Sequence, residues 1–364
     1  MWLKKHRRRH RCSSEKSSWW DFVYRWPREI QSWIDDFIAG NYRFSPLIRF
    51  RFADETPDMF EYRDRLMLTL LYQQIKSAFS HLISKRCLHL QGPNGVKTAL
   101  TWLHNVMNAK TYHYVIRADI KGYYASIDHR ILLQQTQQAF QDPRVQQYLE
   151  AITTAPIDDG GRLLTSTTGI PRRSPISPFL AALYLSPLDH AFANHPSVFY
   201  LRFCDDFVIL AQTKSQFVAA RKKLFRILRQ LKLKLSDPKT RMGKLCDGFH
   251  FLGVQLQFQV QPAVSQNLLA KTPVSATIHS RSCRRALERV CAMKQSAVFY
   301  PAQIKRYLLS WITWWSCTIV PITVNHLLQT WRDFTSIFEP TLARVALRVI
   351  SQQFPLKQKL PINS

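Results

Sequence analysis

Two adjacent aspartates, Asp205 and Asp206, have the types and spacing that most directly indicate chemistry in this chain. They lie between two mostly apolar runs, residues 199–202 and 207–210, that are typical of buried β-strands. Burial of two neighbouring carboxylates has a large free-energy cost unless a cation accompanies them. The pattern predicts a hairpin whose tip holds a divalent metal ion, although a polar turn between two core strands would also produce it.

A third carboxylate, Asp119, lies near the end of another apolar segment, residues 114–120. Carboxylate oxygens suit Mg²⁺, and two such ions activate an attacking hydroxyl and stabilise a leaving phosphate. Tyr124 stands five residues after Asp119, where an aromatic ring would lie beneath the sugar of an incoming nucleotide and clash with a 2′-hydroxyl. The aspartates therefore predict nucleotide polymerisation, whereas Tyr123 and Tyr124 alone would also fit ordinary packing residues.

The elements that must position these aspartates alternate between helical and strand-like patterns. Apolar residues recur at helical spacing in residues 30–38, 65–83, 131–152 and 217–231, and the strand-like segments lie between them. The predicted fold class is α+β. Residues 262–275 are polar and poor in charge, which predicts a domain boundary there.

The region after this boundary contains an uncharged segment, residues 307–331, which has no Asp, Glu, Lys or Arg. Its length would allow it to span a bilayer. Polar residues and Pro321 interrupt it, however, and its tryptophans suit a membrane interface rather than the hydrocarbon centre. Two packed helices with an apolar core fit the segment better.

The charge balance indicates a polyanionic partner. The chain has 51 Lys and Arg against 24 Asp and Glu, a formal charge of +27, which supplies phosphate contacts and steers association with nucleic acid. Binding to an anionic membrane would need an amphipathic basic helix or a lipid signal, and neither is evident. The basic run in residues 4–11 is expected to stay disordered until it meets phosphate.

The sequence lacks the pattern of a secretory signal, because basic residues persist to Arg11 without a continuous apolar stretch. The seven cysteines show no spacing typical of a zinc module and indicate no disulfide framework. We therefore expect a cytoplasmic protein with reduced thiols.

Five motifs follow one another along the chain: Asp119 with Tyr124, residues 169–178 (GIPRRSPISP), residues 203–206 (FCDD), Lys239, and residues 249–253 (FHFLG). In this order the chain resembles a bacterial reverse transcriptase of the group II intron-like kind. The resemblance covers residues 17–260, and residues 42–46 resemble the start of the family's fingers.

The resemblance implies a right-hand polymerase. Its fingers and palm, an antiparallel sheet packed on helices, would be followed by an all-helical thumb. The expected domains are a basic disordered tail in residues 1–16, a fingers–palm domain in residues 17–260 and a helical thumb in residues 261–364.

The resemblance also assigns roles to single residues. The expected ligands of two Mg²⁺ ions, for which Mn²⁺ would substitute, are Asp119, Asp205, Asp206 and the carbonyl of Ile120. Lys239 matches the family lysine that protonates pyrophosphate. The residues expected to bind the nucleotide are Tyr124, Arg49, Arg51, Pro171 and Arg172. Those expected along the primer and template are Lys97, Arg173, Ser177, Phe203 and the primer grip formed by Phe251, Leu252 and Gly253.

Several of these assignments have a simpler alternative. Lys239 would also fit a surface turn, Arg49 and Arg51 would also fit the solvated face of a strand, and the primer-grip motif would also fit a plain β-turn. Lys97 lies in a glycine-bearing loop that resembles the family's template-contacting segment only weakly.

Two departures from the family pattern affect the expected activity. Arg172 and Arg173 stand where the family usually has Gln and Gly, and Phe203 replaces the commoner Tyr. Glycine in such a loop permits close backbone approach, whereas a guanidinium could bind the template backbone or the triphosphate through paired hydrogen bonds. We expect an active enzyme with altered nucleotide handling.

The predicted function is an RNA-directed DNA polymerase that extends a primer 3′-hydroxyl with dNTPs on an RNA template. Its expected partners are the template, the DNA product duplex, and either a dedicated non-coding RNA or a second protein subunit. The chain's end at Ser364 leaves no room for appended DNA-binding or endonuclease modules, so a free-standing enzyme of a retroelement or an antiviral defence system is expected. The alternatives are a maturase-like RNA-binding protein with an inactive site and an RNA-making polymerase, which Tyr124 disfavours.

Overall fold

The computed structural model describes residues 16–51, 56–78, 82–92, 94–109, 111–258, 274–278, 280–295, 306–307 and 310–311. The expected basic tail, apart from its last residue, and most of the expected thumb lie outside these residues, as does nearly all of the uncharged segment 307–331.

The helices and strands alternate along the chain as the sequence pattern predicts. The described helices are α1 (Lys16–Ala39), α2 (Tyr62–Ala78), α3 (Gly95–Asn108), α4 (Tyr123–Ser126), α5 (His129–Ala139), α6 (Pro143–Thr153), α7 (Ser177–Tyr184), α8 (Ser186–Phe192), α9 (Lys214–Gln230) and α10 (Ser280–Gln295). The described strands are β1 (Leu47–Arg49), β2 (Asp58–Met59), β3 (Tyr114–Asp119), β4 (Ile157–Asp159), β5 (Arg162–Leu164), β6 (Val198–Phe203), β7 (Asp206–Ala211), β8 (Arg241–Lys244), β9 (Phe249–Phe251), β10 (Val254–Phe258) and β11 (Val274–Ile278). Sheets packed on helices confirm the α+β class.

The chain folds into two compact units. The first unit comprises Met1–Leu90, Asp119–Pro196 and Arg221–Pro238, and the second comprises Gln91–Ala118, Ser197–Ala220 and Lys239–Ser364. The chain passes between the two units at five points, one of which lies between Ala118 and Asp119 at the end of β3.

The first unit contains a small sheet with strand order β2-β1-β4-β5, in which β1 runs parallel to β4. In this unit, residues 42–46 are joined to α2 by hydrogen bonds to the buried carboxylate of Asp64. That carboxylate accepts hydrogen bonds from the Tyr42 hydroxyl at 2.6 Å and from the Ser45 amide at 2.9 Å. Burial raises the pKa of Asp64, and these two hydrogen bonds oppose that rise.

The second unit contains the sheet that carries the acidic pair, with strand order β6-β7-β3-β8. Strands β6 and β7 are almost wholly buried, as their apolar runs predict, and they pair in antiparallel register with Phe203 opposite Asp206. The His113 amide donates to the carbonyl of Ala211 at 3.0 Å, which places the start of β3 beside the end of β7. Strand β3 therefore runs antiparallel to β7.

A second sheet of this unit, with order β11-β10-β9, corrects part of the predicted thumb. Residues 261–364 were expected to be all-helical, but Val274–Ile278 form a strand that pairs antiparallel with Val254–Phe258. The pairing satisfies the backbone groups of β10 along one edge. Helix α10 begins only at Ser280.

Candidate active site

The acidic pair lies at a tight hairpin between β6 and β7. Because Phe203 pairs with Asp206, the turn itself consists of Cys204 and Asp205, and Asp206 is the first residue of β7. Cys204 has a left-handed backbone with φ 58°. The guanidinium of Arg202, a completely buried residue, donates to the Cys204 carbonyl at 2.9 Å. A buried cation therefore supports the turn from within the sheet.

A second buried arginine, Arg117 on β3, pairs directly with Asp206. Its Nη2 lies 2.9 Å from Oδ2 of Asp206, and the two side chains are 5% and 14% exposed. Its Nη1 donates to the backbone carbonyl of Lys239. Arg117 thus joins β3, the start of β7 and the turn that carries Lys239, and it supplies a cation that the burial of Asp206 requires.

Sequence reasoning missed Arg117 because it treated residues 114–120 as an apolar strand and sought the compensating cation only in a metal. A signal was present, since an arginine within a buried strand needs an anionic or carbonyl partner. The pattern could not identify that partner, because strand pairing is not encoded in one strand.

Lys239 is the last residue of a short 3₁₀ helix, Asp237–Lys239, and is half-buried. Its backbone is fixed by Arg117. Phe203, also half-buried, ends β6 directly before the turn. The structure therefore places Phe203, Asp205, Asp206 and Lys239 in the second unit.

Asp119 is the last residue of β3 and is 8% exposed. Its carbonyl accepts a hydrogen bond from the Ser236 amide at 2.8 Å, and the Lys121 amide donates to the carbonyl of Lys234 at 2.9 Å. Ile120, between them, is buried and forms a β-bridge with Leu235. The backbone on both sides of Asp119 is therefore anchored to residues 234–236.

The aspartates fit a divalent metal by donor chemistry, since carboxylate and carbonyl oxygens are the ligands that Mg²⁺ prefers. In the parts of the chain that the structure describes, no group of three or more His, Cys, Asp or Glu side chains is placed to hold a metal ion. At Asp206 the nearby cation is the guanidinium of Arg117. The meeting of Asp119 with Asp205 and Asp206 around metal ions stays a prediction.

A cleft of about 770 Å³ in the first unit brings together most of the predicted nucleotide-binding residues. Its lining includes Arg49, Tyr124, Pro171, Arg172 and Arg173. These residues come from β1, from α4 and from the loop before α7. Arg51 does not line the cleft.

The Tyr124 side of the cleft is fastened to the loop at Gly169. The Ile170 amide donates to the Tyr124 carbonyl at 2.9 Å, and the Gly169 amide donates to the carbonyl of Ile127 at 2.8 Å. The His129 Nε2 donates to the Gly169 carbonyl at 2.6 Å. Gly169 has φ +97°, and a Cβ there would lie 3.4 Å from the Ala125 carbonyl oxygen. Glycine is therefore favoured at this position by the backbone conformation, whereas the space would admit a Cβ in ordinary contact.

Asp128 supports the same region by capping α5. Its carboxylate accepts the Ile131 amide at 3.1 Å and the Lys232 ammonium at 2.6 Å. The bond from Lys232 is the main reason why the pKa of Asp128 lies below its ordinary value. Sequence reasoning did not single out Asp128 or His129, although an aspartate before a helix is a common N-cap.

Arg49 and Arg51, at and just after the end of β1, are held by carboxylates. Arg49 Nε lies 2.8 Å from Asp58 and its Nη1 lies 3.5 Å from Asp159, while Arg51 Nη2 lies 2.6 Å from Asp159. The prediction that both lie on one strand face is wrong, because β1 ends at Arg49. They nevertheless converge on Asp159. The hydrogen bond from Arg49 to Asp58 is the main reason why the pKa of Arg49 is raised.

Arg172 and Arg173, which replace Gln and Gly, are exposed at the cleft. Among the described residues, the non-glycine positions with positive φ are Cys204, Lys232 and Leu252. The backbone at Arg172 and Arg173 therefore does not require glycine, and both side chains are accommodated without backbone strain.

Three residues predicted along the template and primer lie in settings that the sequence did not indicate. Ser177, the first residue of α7, is completely buried, and so is the side chain of Phe251. Because no surface of either side chain reaches solvent, direct contact of these side chains with nucleic acid is excluded in this structure. The predicted primer grip uses the backbone of the turn and stays a prediction. Lys97 is exposed, but it lies in the first turn of α3 rather than in a loop.

The predicted primer grip is a two-residue hairpin turn between β9 and β10. Phe251 pairs with Val254, and both turn residues have positive φ, 48° at Leu252 and 86° at Gly253. Positive φ at both central positions defines a type I′ turn, which favours Asn and Gly. Leu252 therefore has a left-handed backbone conformation that a side chain disfavours.

Changing Leu252 to Gly is expected to raise the free energy of unfolding by about 1 kcal/mol, because a left-handed backbone disfavours a branched side chain. Urea denaturation of the purified variant measures the change. Gln255→Gly, in the following strand, is the control and should destabilise instead. A loss of stability in Leu252→Gly would show that side-chain packing outweighs the strain.

The mixed fold of sheets packed on helices is consistent with a polymerase domain. The family description "Reverse transcriptase (RNA-dependent DNA polymerase)" matches residues 58–256, more than half of the chain. The chain therefore belongs to the reverse transcriptase family, whose domains use divalent metal ions and act on a nucleic acid template, a primer and nucleoside triphosphates.

A curated relative is "Protein YkfC" of Escherichia coli (strain K12), which is 27% identical over 177 residues. The match covers 39% of this chain and 46% of the relative, so the chain spans less than half of the relative's length. Among the described residues, no helix combines the length and apolarity that crossing a bilayer requires.

Proposed function

We propose that the protein is an RNA-directed DNA polymerase that adds dNTPs to a primer 3′-hydroxyl on an RNA template. The observation that carries the proposal is the cleft that Arg49, Tyr124, Pro171, Arg172 and Arg173 line. The cleft combines the aromatic ring of Tyr124, against which a sugar could pack, with guanidinium groups that can bind phosphates. The chain that forms it belongs to the reverse transcriptase family.

Each group has a distinct proposed part. Two Mg²⁺ ions, or Mn²⁺ in their place, held by Asp119, Asp205, Asp206 and the Ile120 carbonyl, would activate the primer hydroxyl and stabilise charge on the transferred phosphate. Arg117 would hold the carboxylate of Asp206 in place before substrate binds. Lys239 donates a proton to pyrophosphate, and the turn at Leu252 and Gly253 presents its backbone to the primer end.

Arg172 and Arg173 are proposed to bind phosphate at the mouth of the cleft. Both side chains are exposed. Arg49, in contrast, already forms ion pairs with the carboxylates of Asp58 and Asp159. Arginine forms paired hydrogen bonds with phosphate that glutamine and glycine cannot form. The replacement therefore strengthens phosphate binding at the cleft.

Changing Tyr124 to Ala is expected to lower the preference for dNTPs over rNTPs by about 10- to 100-fold, because removing the ring makes room for a 2′-hydroxyl. The ratio of kcat/KM values for single dNTP and rNTP additions measures it. Tyr124→Phe keeps the ring and should keep the preference. Unchanged selectivity in Tyr124→Ala would refute the sugar-gate role.

The overall activity is tested with purified protein, Mg²⁺, labelled dNTPs and the RNA that co-purifies with the protein. Sequencing of the product identifies the template and the priming site. The Asp205→Ala, Asp206→Ala double variant must yield no product. Synthesis that survives in this variant would exclude these aspartates as the catalytic centre.

A maturase-like RNA-binding role is the second candidate, favoured by the two arginines in place of Gln and Gly and by the charge of +27. It predicts tight RNA binding without nucleotide incorporation. We further propose a cytoplasmic location and a role in a retroelement or an antiviral defence system, with a dedicated RNA or a second subunit as partner. The RNA recovered with the protein tests this.

A further inference from the structure

The C-terminal part of α9 presents a group of exposed basic side chains that the active site does not use. Arg221, Lys222, Arg226 and Arg229 are exposed, and Phe225 beside them is 46% exposed. We call these five residues the α9 basic face. None of them lines the cleft around Tyr124.

Neighbouring lysines on the same segment have structural partners. The Lys223 ammonium donates to the Ala191 carbonyl at 2.8 Å and lies 5.4 Å from the centre of the Phe192 ring, which fixes α9 to α8. Lys232 bonds Asp128 at 2.6 Å. These two lysines are explained by packing and capping.

The four cations of the α9 basic face have no such explanation. Within the described residues, none of them has a carboxylate at ion-pair distance, and the sequence contains no Asp or Glu from residue 207 to residue 236. Lys222 and Arg226 are four residues apart, and Arg226 and Arg229 are three apart, which are spacings at which like charges destabilise a helix. The helix dipole offsets this repulsion only for Arg229 in the last turn.

We propose that the α9 basic face binds the phosphate backbone of structured RNA outside the catalytic cleft. From Lys222 to Arg229 the helix extends about 10 Å, or about three phosphate steps along a duplex. Phe225, between the cations, offers a ring to an unpaired base. Phe225 is the one large apolar side chain of the face, whereas a membrane-binding helix needs a broad apolar stripe. The choice of RNA rests on the proposed function, since RNA is the template.

The test removes three charges without touching the catalytic residues. In the face variant, Arg221, Lys222 and Arg226 are all changed to Gln, which keeps helix propensity. In the control variant, the exposed Lys76, Lys85 and Arg130 are changed to Gln, so the net charge falls equally. The dissociation constant of a labelled RNA hairpin is measured with the full chain over a series of KCl concentrations.

The face variant is expected to bind the hairpin about tenfold or more weakly at physiological salt, with the slope of log affinity against log salt reduced by about two to three. The control variant should change the slope by less than about one. On a short primer–template that offers no free hairpin, the face variant should extend the primer at the wild-type rate.

Three results would overturn the inference: equal RNA binding by the face and control variants, an equal loss of binding to a DNA hairpin of the same sequence, or a loss confined to anionic phospholipid vesicles. Failure of the proposed polymerase activity is a separate result. It would appear as absence of synthesis by the wild-type chain while the face variant still lost RNA affinity.

Discussion

Changing both Asp205 and Asp206 to Asn is expected to stop DNA synthesis, with the rate of nucleotide incorporation falling about a thousandfold or more. Asparagine keeps the shape of aspartate but lacks the negative charge needed to hold metal ions. It also keeps an oxygen that accepts the Arg117 hydrogen bond, so the hairpin should still fold. Single-nucleotide extension of a labelled primer measures the rate.

The matched control is Asp247→Asn, which removes an exposed carboxylate of the same unit that pairs with Arg241 at 3.2 Å. Its rate should equal that of the wild type. Both proteins must show similar urea denaturation curves for the comparison to report on chemistry. Activity of the double variant within about tenfold of the wild type would be incompatible with the assigned catalytic role.

Changing Arg117 to Met is expected to lower the free energy of unfolding by about 3–5 kcal/mol, because the variant leaves the carboxylate of Asp206 without its buried cationic partner. Millimolar Mg²⁺ should restore part of this loss if Asp206 is a metal ligand. Urea denaturation with and without MgCl₂ measures both effects without any assay of synthesis.

Two further variants separate the causes. Arg117→Lys keeps the charge but cannot reach Asp206 and the Lys239 carbonyl together, so its stability should be intermediate. The Arg117→Met, Asp206→Asn double variant lacks the buried charge and should show no stabilisation by Mg²⁺ beyond that of the wild type. An Arg117→Met variant as stable as the wild type would show that the ion pair contributes little.

The acidic hairpin was predictable from sequence because both flanking runs are buried and apolar, and only a turn could hold Asp205 between them. The role of Arg117 could not be predicted from sequence, because the ion pair with Asp206 requires β3 to lie beside β7. Strand order is a long-range property of the fold. The paired helices α5 and α6 were read as one helical pattern, residues 131–152. Asp142 and Pro143 divide it, since Asp142 caps a new helix that begins at Pro143.

Motif position also failed to predict burial. Ser177 and Phe251 match family motifs, but both are completely buried. A motif records which residues occur and not which of their atoms face the substrate, so it could not predict this burial. Residues 274–278 became a strand for a related reason. Their pairing with β10 is a long-range contact that the local pattern does not indicate, although Val274, Thr277 and Ile278 suit a strand.

The backbone bonds that join Gly169 and Ile170 to residues 124–127 have a consequence for engineering of the substrate range. These bonds couple the tyrosine that we propose to face the sugar to the adjoining arginine loop, so enlarging the space for a modified ribose should also displace the arginines proposed to bind phosphate. Variants selected for unnatural nucleotides should therefore acquire substitutions on both segments together, and changes at one segment alone should reduce turnover.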